Sequence, residues 1–198
     1  MRLLKWTQLN GPSLTEDFVD NVPPYAILSH TWGSDSDEVT FTDLQQRRGR
    51  SKAGYAKIQF CGEQAKKDGI EHFWVDICCI NKENHVELSE AIISMFRWYR
   101  DAEKCYAYLL DVSARKRDND SDTQYAWKSS FRTSRWFTRG WTLQELLAPK
   151  VVEFFSREGD LLGTKEMLAQ QIHEMTKIPI TALNGTPLPH FSTVERMQ

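Results

Sequence analysis

Apolar runs of strand chemistry alternate with stretches that repeat at helical spacing, and this alternation limits the possible folds more than any other feature of the chain. "YAILSHTWG" (25–33) follows two prolines as a short apolar run and closes on glycine, which reads as a buried strand entering a loop. In "GYAKIQFCGEQAKKDG" (54–69), Tyr55, Ile58, Cys61 and Ala65 fall on a helical stripe, and Gly69 is a natural stop. "IEHFWVDICCIN" (70–81) is aromatic and β-branched and reads as a second buried strand. A helix over 87–102 carries Leu88, Ala91, Ile92, Met95, Phe96 and Tyr99 on one stripe. "KCYAYLLDV" (104–112) is a third strand and "VVEFFS" (151–156) a fourth. Between them "SRWFTRGWTLQELLAP" (134–149) predicts a helix ending before proline, and 164–178 predicts another with Met167, Leu168, Ile172 and Met175 inward. Four strands alternating with four helices define an α/β fold, a parallel sheet with helices on both faces and right-handed crossovers.

The bulk numbers fit a single domain of this class. The chain has 198 residues, 40% apolar and 26% charged, enough to bury a substantial core. Seven tryptophans predict a heavy aromatic core or several stacking surfaces. A net charge of −2 supplies no global field for nucleic acid or a membrane surface, and neither is an expected partner. The basic runs at 45–50 and 114–118 sit in polar, loop-like surroundings; the stretch 113–124 reads as a long mobile loop. Cys61, Cys78, Cys79 and Cys105 form no CxxC pair, which predicts free thiols in a reduced, cytoplasmic setting. With no histidine or second cysteine pair at ligand spacing, no metal site is expected. No run approaches the ~20 apolar residues of a membrane helix.

Parallel sheets bind ligands beyond the carboxyl ends of their strands. Ser29, His30 and Trp32 follow the first strand: a hydroxyl, an imidazole and an indole suited to a polar ligand with a flat ring. Asp76 lies just past the most apolar part of the second strand, where a carboxylate costs free energy unless it is paired or faces a cleft. Cys78 and Cys79 have no base at fixed spacing and read as buried thiols. Glu145 is the one carboxylate in the 134–149 stretch, four residues after Trp141 and so on its face. It is either a functional group partly desolvated by the indole or a helix glutamate paired with Arg135 or Arg139. Leu143, Leu146 and Leu147 read as the helix's core side.

Together, 25–33, 54–82, 89–112 and 134–149 resemble the HET domain of fungal heterokaryon incompatibility proteins, over roughly residues 25–180. That family is associated with cell death after fusion of genetically different fungal cells, and its domains are distantly similar to TIR domains. The resemblance implies a flavodoxin-like, TIR-like sheet with strand order 2-1-3-4. Residues 1–24 would be an N-terminal extension, and 181–198 a tail leading into a longer protein. Many TIR domains hydrolyse NAD+ with one glutamate in a W-x-x-x-E-L pattern, which here falls on Trp141, Glu145 and Leu146.

The resemblance therefore implies a self-associating NAD+ glycohydrolase with Glu145 as the catalytic group and NAD+ as substrate rather than cofactor. Ser29, His30, Trp32, Asp76 and Trp141 become candidate nicotinamide or ribose contacts, and Arg135 and Arg139 candidate diphosphate contacts. The same resemblance admits a receptor-like or incompatibility partner protein. The alternative is a non-catalytic oligomerising module in which Glu145 forms only an ion pair; a nucleotide sensor that binds without cleaving is a third reading.

Overall fold

The computed structural model describes residues 1–7, 11–115 and 127–186. Most of the polar stretch 113–124 and the tail beyond 186 lie outside the described residues. The chain opens with a hairpin, β1 (Leu4–Thr7) and β2 (Gly11–Leu14), and continues into β3 (Tyr25–His30). Helices α1 (Phe41–Gln45) and α2 (Tyr55–Lys67) lead to the short β4 (His72–Trp74). Helices α3 (Asp76–Cys79) and α4 (His85–Asp101) then lead to β5 (Lys104–Tyr108). After α5 (Trp127–Arg132), a 3-10 turn (Arg135–Thr138) and α6 (Thr142–Leu147), the chain forms β6 (Val152–Phe155) and β7 (Leu161–Thr164). It ends in α7 (Ala169–Thr176) and α8 (Ile180–Leu183).

The sheet order is β2-β1-β4-β3-β5-β6-β7. The four strands expected from sequence, β3, β4, β5 and β6, are all parallel and stand in the expected 2-1-3-4 order. The sheet as a whole is mixed rather than purely parallel. The β1–β2 hairpin adds to one edge antiparallel to β4, and β7 adds to the other antiparallel to β6. β3 is buried along its whole length, which is why its sequence lacks the alternation of a half-exposed strand.

Helices cover both faces of this sheet. On β6, Phe155 packs edge-on against Phe60 of α2, whereas its neighbour Phe154 meets Trp136 and Phe131 from the opposite side. β5 repeats the division. Tyr106 faces Phe60, and Cys105 points its thiol at the Glu145 carbonyl on α6. All four cysteines are free and buried.

Several elements differ from the sequence expectation. Only His72–Trp74 of the 70–81 stretch is strand. Val75 stays extended as an N-cap, and Asp76–Cys79 turns helical, so that Cys78 and Cys79 can both be buried. A short apolar run gives strand and buried helix the same signature. The 134–149 stretch is not one helix. Arg139 is extended, with φ −80° and ψ 143°, and separates the 3-10 turn from α6. The helix expected from 164 begins at Ala169, because Thr164 closes β7 and residues 165–168 turn the chain back. The 181–198 stretch, expected to be a tail, contributes its first residues to α8. On α4, Ala91 and Tyr99 are buried, but Ile92 and Phe96 are 45% and 41% exposed, so the stripe is wider than the buried face. On α6 the inward side is Thr142, Glu145 and Leu146; Leu143 is exposed.

A buried ion pair fixes the loop after β3. The Lys57 ammonium of α2 reaches the Glu38 carboxylate and the Thr31 carbonyl, and Glu38 also accepts the Gly33 N–H at 2.5 Å. A Cβ at Gly54 would lie 2.7 Å from the Asp37 carbonyl oxygen and from Glu38 Oε2, so the helix start packs against this loop only as glycine.

Candidate functional site

Ser29 and His30, the last two residues of β3, are polar groups with almost no solvent access. Burial of such groups is costly unless each polar atom has a partner. Ser29 is fully provided for. Its hydroxyl donates to Glu145 Oε2 at 2.5 Å and accepts the Trp136 indole N–H at 2.7 Å. Glu145 is itself 3% exposed and is clamped by Arg139, with Nη1 on Oε2 at 2.8 Å and Nη2 on Oε1 at 2.9 Å. The clamp depends on the break in the 134–149 stretch: an extended Arg139 turns its side chain back over the first turn of α6. Burial works against the guanidinium's charge, but the Glu145 carboxylate holds its pKa above the ordinary value.

Helix α6 is seated at its far end by Lys165. This buried ammonium donates to the carbonyls of Leu146 (3.2 Å) and Pro149 (3.0 Å), groups a helix C-terminus leaves unpaired. Burial lowers its pKa. The Thr142 hydroxyl holds the other end by donating to the Trp136 carbonyl at 2.5 Å.

His30 and Asp76 form the second half of the cluster. His30 Nε2 and Asp76 Oδ1 face each other at 3.8 Å, too far for a hydrogen bond, and neither has a partner among the described residues. Burial pushes the Asp76 carboxyl up to about 6, with Glu145 adding to the rise while Lys82 and Arg139 oppose it. Burial, aided by Lys57, Arg139 and Lys82, drives His30 well below its ordinary value, so the ring is neutral. The remaining Asp76 oxygen accepts the Trp32 indole N–H at 2.9 Å. The Lys82 ammonium sits 3.8 Å over the Trp32 ring. These two residues border a cleft of about 360 Å³ whose apolar lining includes Phe41, Ile77 and Ile80.

The structure thus gathers Ser29, His30, Asp76, Arg139 and Glu145 at the carboxyl ends of β3 and β4, with Trp32 joined through Asp76. Trp141 and Arg135 are not gathered. The Trp141 side chain is 42% exposed, and its link to Glu145 is a backbone one, its carbonyl accepting the Glu145 N–H at 3.2 Å. Arg135 is exposed, and its backbone N–H is held by Asp111. Sequence reasoning missed Trp136, Lys57, Lys82 and Lys165. Trp136 was assigned no role, and nothing in the spacing of the lysines marks them out. Among the described residues no group of three or more metal-binding side chains converges. No helix among them is long and apolar enough to cross a membrane.

The profile of the family "Heterokaryon incompatibility protein (HET)" matches residues 25–122, and through that segment the chain belongs to the HET family. Along all 198 residues it is 56% identical to vegetative incompatibility protein HET-E-1 of Podospora anserina. The chain spans 14% of that relative's length. Both names refer to incompatibility. The profile match includes Ser29, His30, Trp32 and Asp76 and ends before Arg139 and Glu145. No solved structure matches the chain.

Proposed function

We propose that this domain is the effector of an incompatibility response and hydrolyses NAD+ at the Ser29–Glu145 cluster. The observation that carries this reading is the convergence of Glu145 on Ser29 at the carboxyl end of β3, the central strand flanked by β4 and β5. The crossover out of β3 leads to β4 on one side and the crossover out of β5 leads to β6 on the other, and crevices at such a switch point receive nucleotides in open α/β sheets.

In the reaction the ribose–nicotinamide bond breaks, its electron pair leaves with nicotinamide, and the ring departs neutral. Positive charge develops on the ribose and is neutralised by Glu145 until water adds at the same carbon and releases a proton. Capture by the substrate's own adenine would give a cyclic product instead. His30 Nε2 and Asp76 Oδ1, both unpartnered, suit a ribose hydroxyl that bridges the two from one side. Arg139 occupies both Glu145 oxygens, so it must swing aside. A diphosphate is the competing anion able to draw it off, since guanidinium pairs with phosphate as it does with carboxylate. Self-association and a larger incompatibility partner belong to this proposal, as does a cytoplasmic site of action.

The closed clamp favours one other reading, a non-catalytic module that signals by oligomerising, with Glu145 and Arg139 fastening α6 to the sheet. One experiment separates the two. Concentrated protein is incubated with NAD+, and nicotinamide release is followed for the parent and for Glu145→Gln. Turnover confined to the parent supports hydrolysis. Absence of turnover in both, with cell killing retained by Glu145→Gln, supports the module instead.

A further inference from the structure

Trp32 is the one site aromatic with an accessible face, being 49% exposed, and that face already holds a cation. The Lys82 ammonium lies 3.8 Å from the ring centroid. Two features make this indole a strong cation acceptor. Its N–H donates to the Asp76 carboxylate at 2.9 Å, which fixes the ring and raises its electron density. The adjoining cleft carries Asp35 and Glu83 on its rim, while the buried Glu38 beside them is balanced by Lys57. Against two exposed carboxylates there is one ammonium, Lys82, so the rim is net negative.

We infer that the Trp32 face and its cleft form a binding site for a flat organic cation, with Lys82 as the internal placeholder that such a ligand displaces. A pyridinium ring fits this chemistry better than a neutral ring. It gains the attraction of the indole face and of Asp35 and Glu83, and its flat body is covered by apolar cleft walls. A cleft of about 360 Å³ accommodates the ring with part of an attached sugar. Equating this ring with the nicotinamide end of NAD+ rests on the reading above; the cation site itself does not. On that reading the nicotinamide is bound while it carries its positive charge and loses its hold once cleavage makes it neutral, which favours release of the product.

The test uses 1-methylnicotinamide, methylated on the ring nitrogen, as the cation and nicotinamide as its neutral counterpart. Each is titrated against the intact chain while the Trp32 indole N–H resonance, assigned with Trp32→Phe, is followed. The cation is expected to shift this resonance saturably and the neutral ring to leave it in place. Lys82→Gln is expected to tighten cation binding about threefold by removing the competitor. No saturable shift, equal responses to the two rings, or weaker binding in Lys82→Gln would overturn the inference. Running the titration in Glu145→Gln as well keeps this result separate from the hydrolysis assay, which depends on that carboxylate.

Discussion

Arg139 and Glu145, six residues apart, meet through two parallel hydrogen bonds of 2.8 and 2.9 Å across a break in the chain. The carboxylate is 4% exposed and the guanidinium 19%, so it is the carboxylate that cannot turn to water if its partner is lost. Arg139→Met should therefore destabilise the domain by about 3 kcal/mol, because it strands a buried carboxylate. Arg139→Met combined with Glu145→Met should recover most of that loss. Urea unfolding of both single variants and the double variant gives the coupling free energy. A coupling near zero would show that the clamp is not closed in solution.

Asp76 sets a pH dependence with a definite sign. Its carboxyl is raised from 3.8 to about 6. Between those values the folded protein holds a proton that the unfolded chain has released. The stabilisation is thus complete below the lower value and is lost as pH rises through about 6. Relative to Asp76→Asn, the parent should lose about 3 kcal/mol of stability from acid to neutral pH. Thermal unfolding of both proteins across that range checks the direction.

Ser29→Ala removes the acceptor of the Trp136 N–H and one donor to Glu145 at once. A buried indole N–H left unpaired costs about 2 kcal/mol. The variant should unfold at lower urea, with the slope of the transition unchanged because the folded state stays compact.

Lys165→Met tests the support of α6 from its far end. The methionine fills most of the volume but leaves the Leu146 and Pro149 carbonyls without a donor. Hydrogen exchange at the α6 amides should accelerate, while exchange in β3 stays near the parent rate. If nicotinamide is released by the parent, this variant should release it more slowly, since Glu145 rides on α6.

The central sheet was legible because buried parallel strands write themselves as apolar runs, and β3, β5 and β6 each fall inside one. The outer strands were not. β1, β2 and β7 are four residues each and none is buried along its whole length, so none offers a run long enough to stand out. Of the site, Ser29, His30, Asp76 and Glu145 were visible as polar residues beside apolar segments. The Arg139 clamp was open only as one of two pairings, because the 134–149 stretch was expected to be one unbroken helix. A residue in extended conformation between two short helices can point its side chain where helical spacing does not. Trp136 was hidden for the opposite reason: as an aromatic in an aromatic-rich stretch it bore no mark of a polar role, and it is core, yet its indole N–H also holds Ser29.

The two antiparallel borders of the sheet have a consequence for how copies of the domain can meet. β2 carries Pro12, which has no amide hydrogen to offer a neighbouring strand, and β7 pairs with β6 through an irregular register at Phe154 and Phe155. Each border is also only four residues long. Neither is a template for strand-by-strand growth into a continuous ribbon. If copies of this domain assemble, these borders favour side-chain recognition between helices and loops, where the order and number of subunits are set by shape and charge, over the open-ended stacking of backbone on backbone.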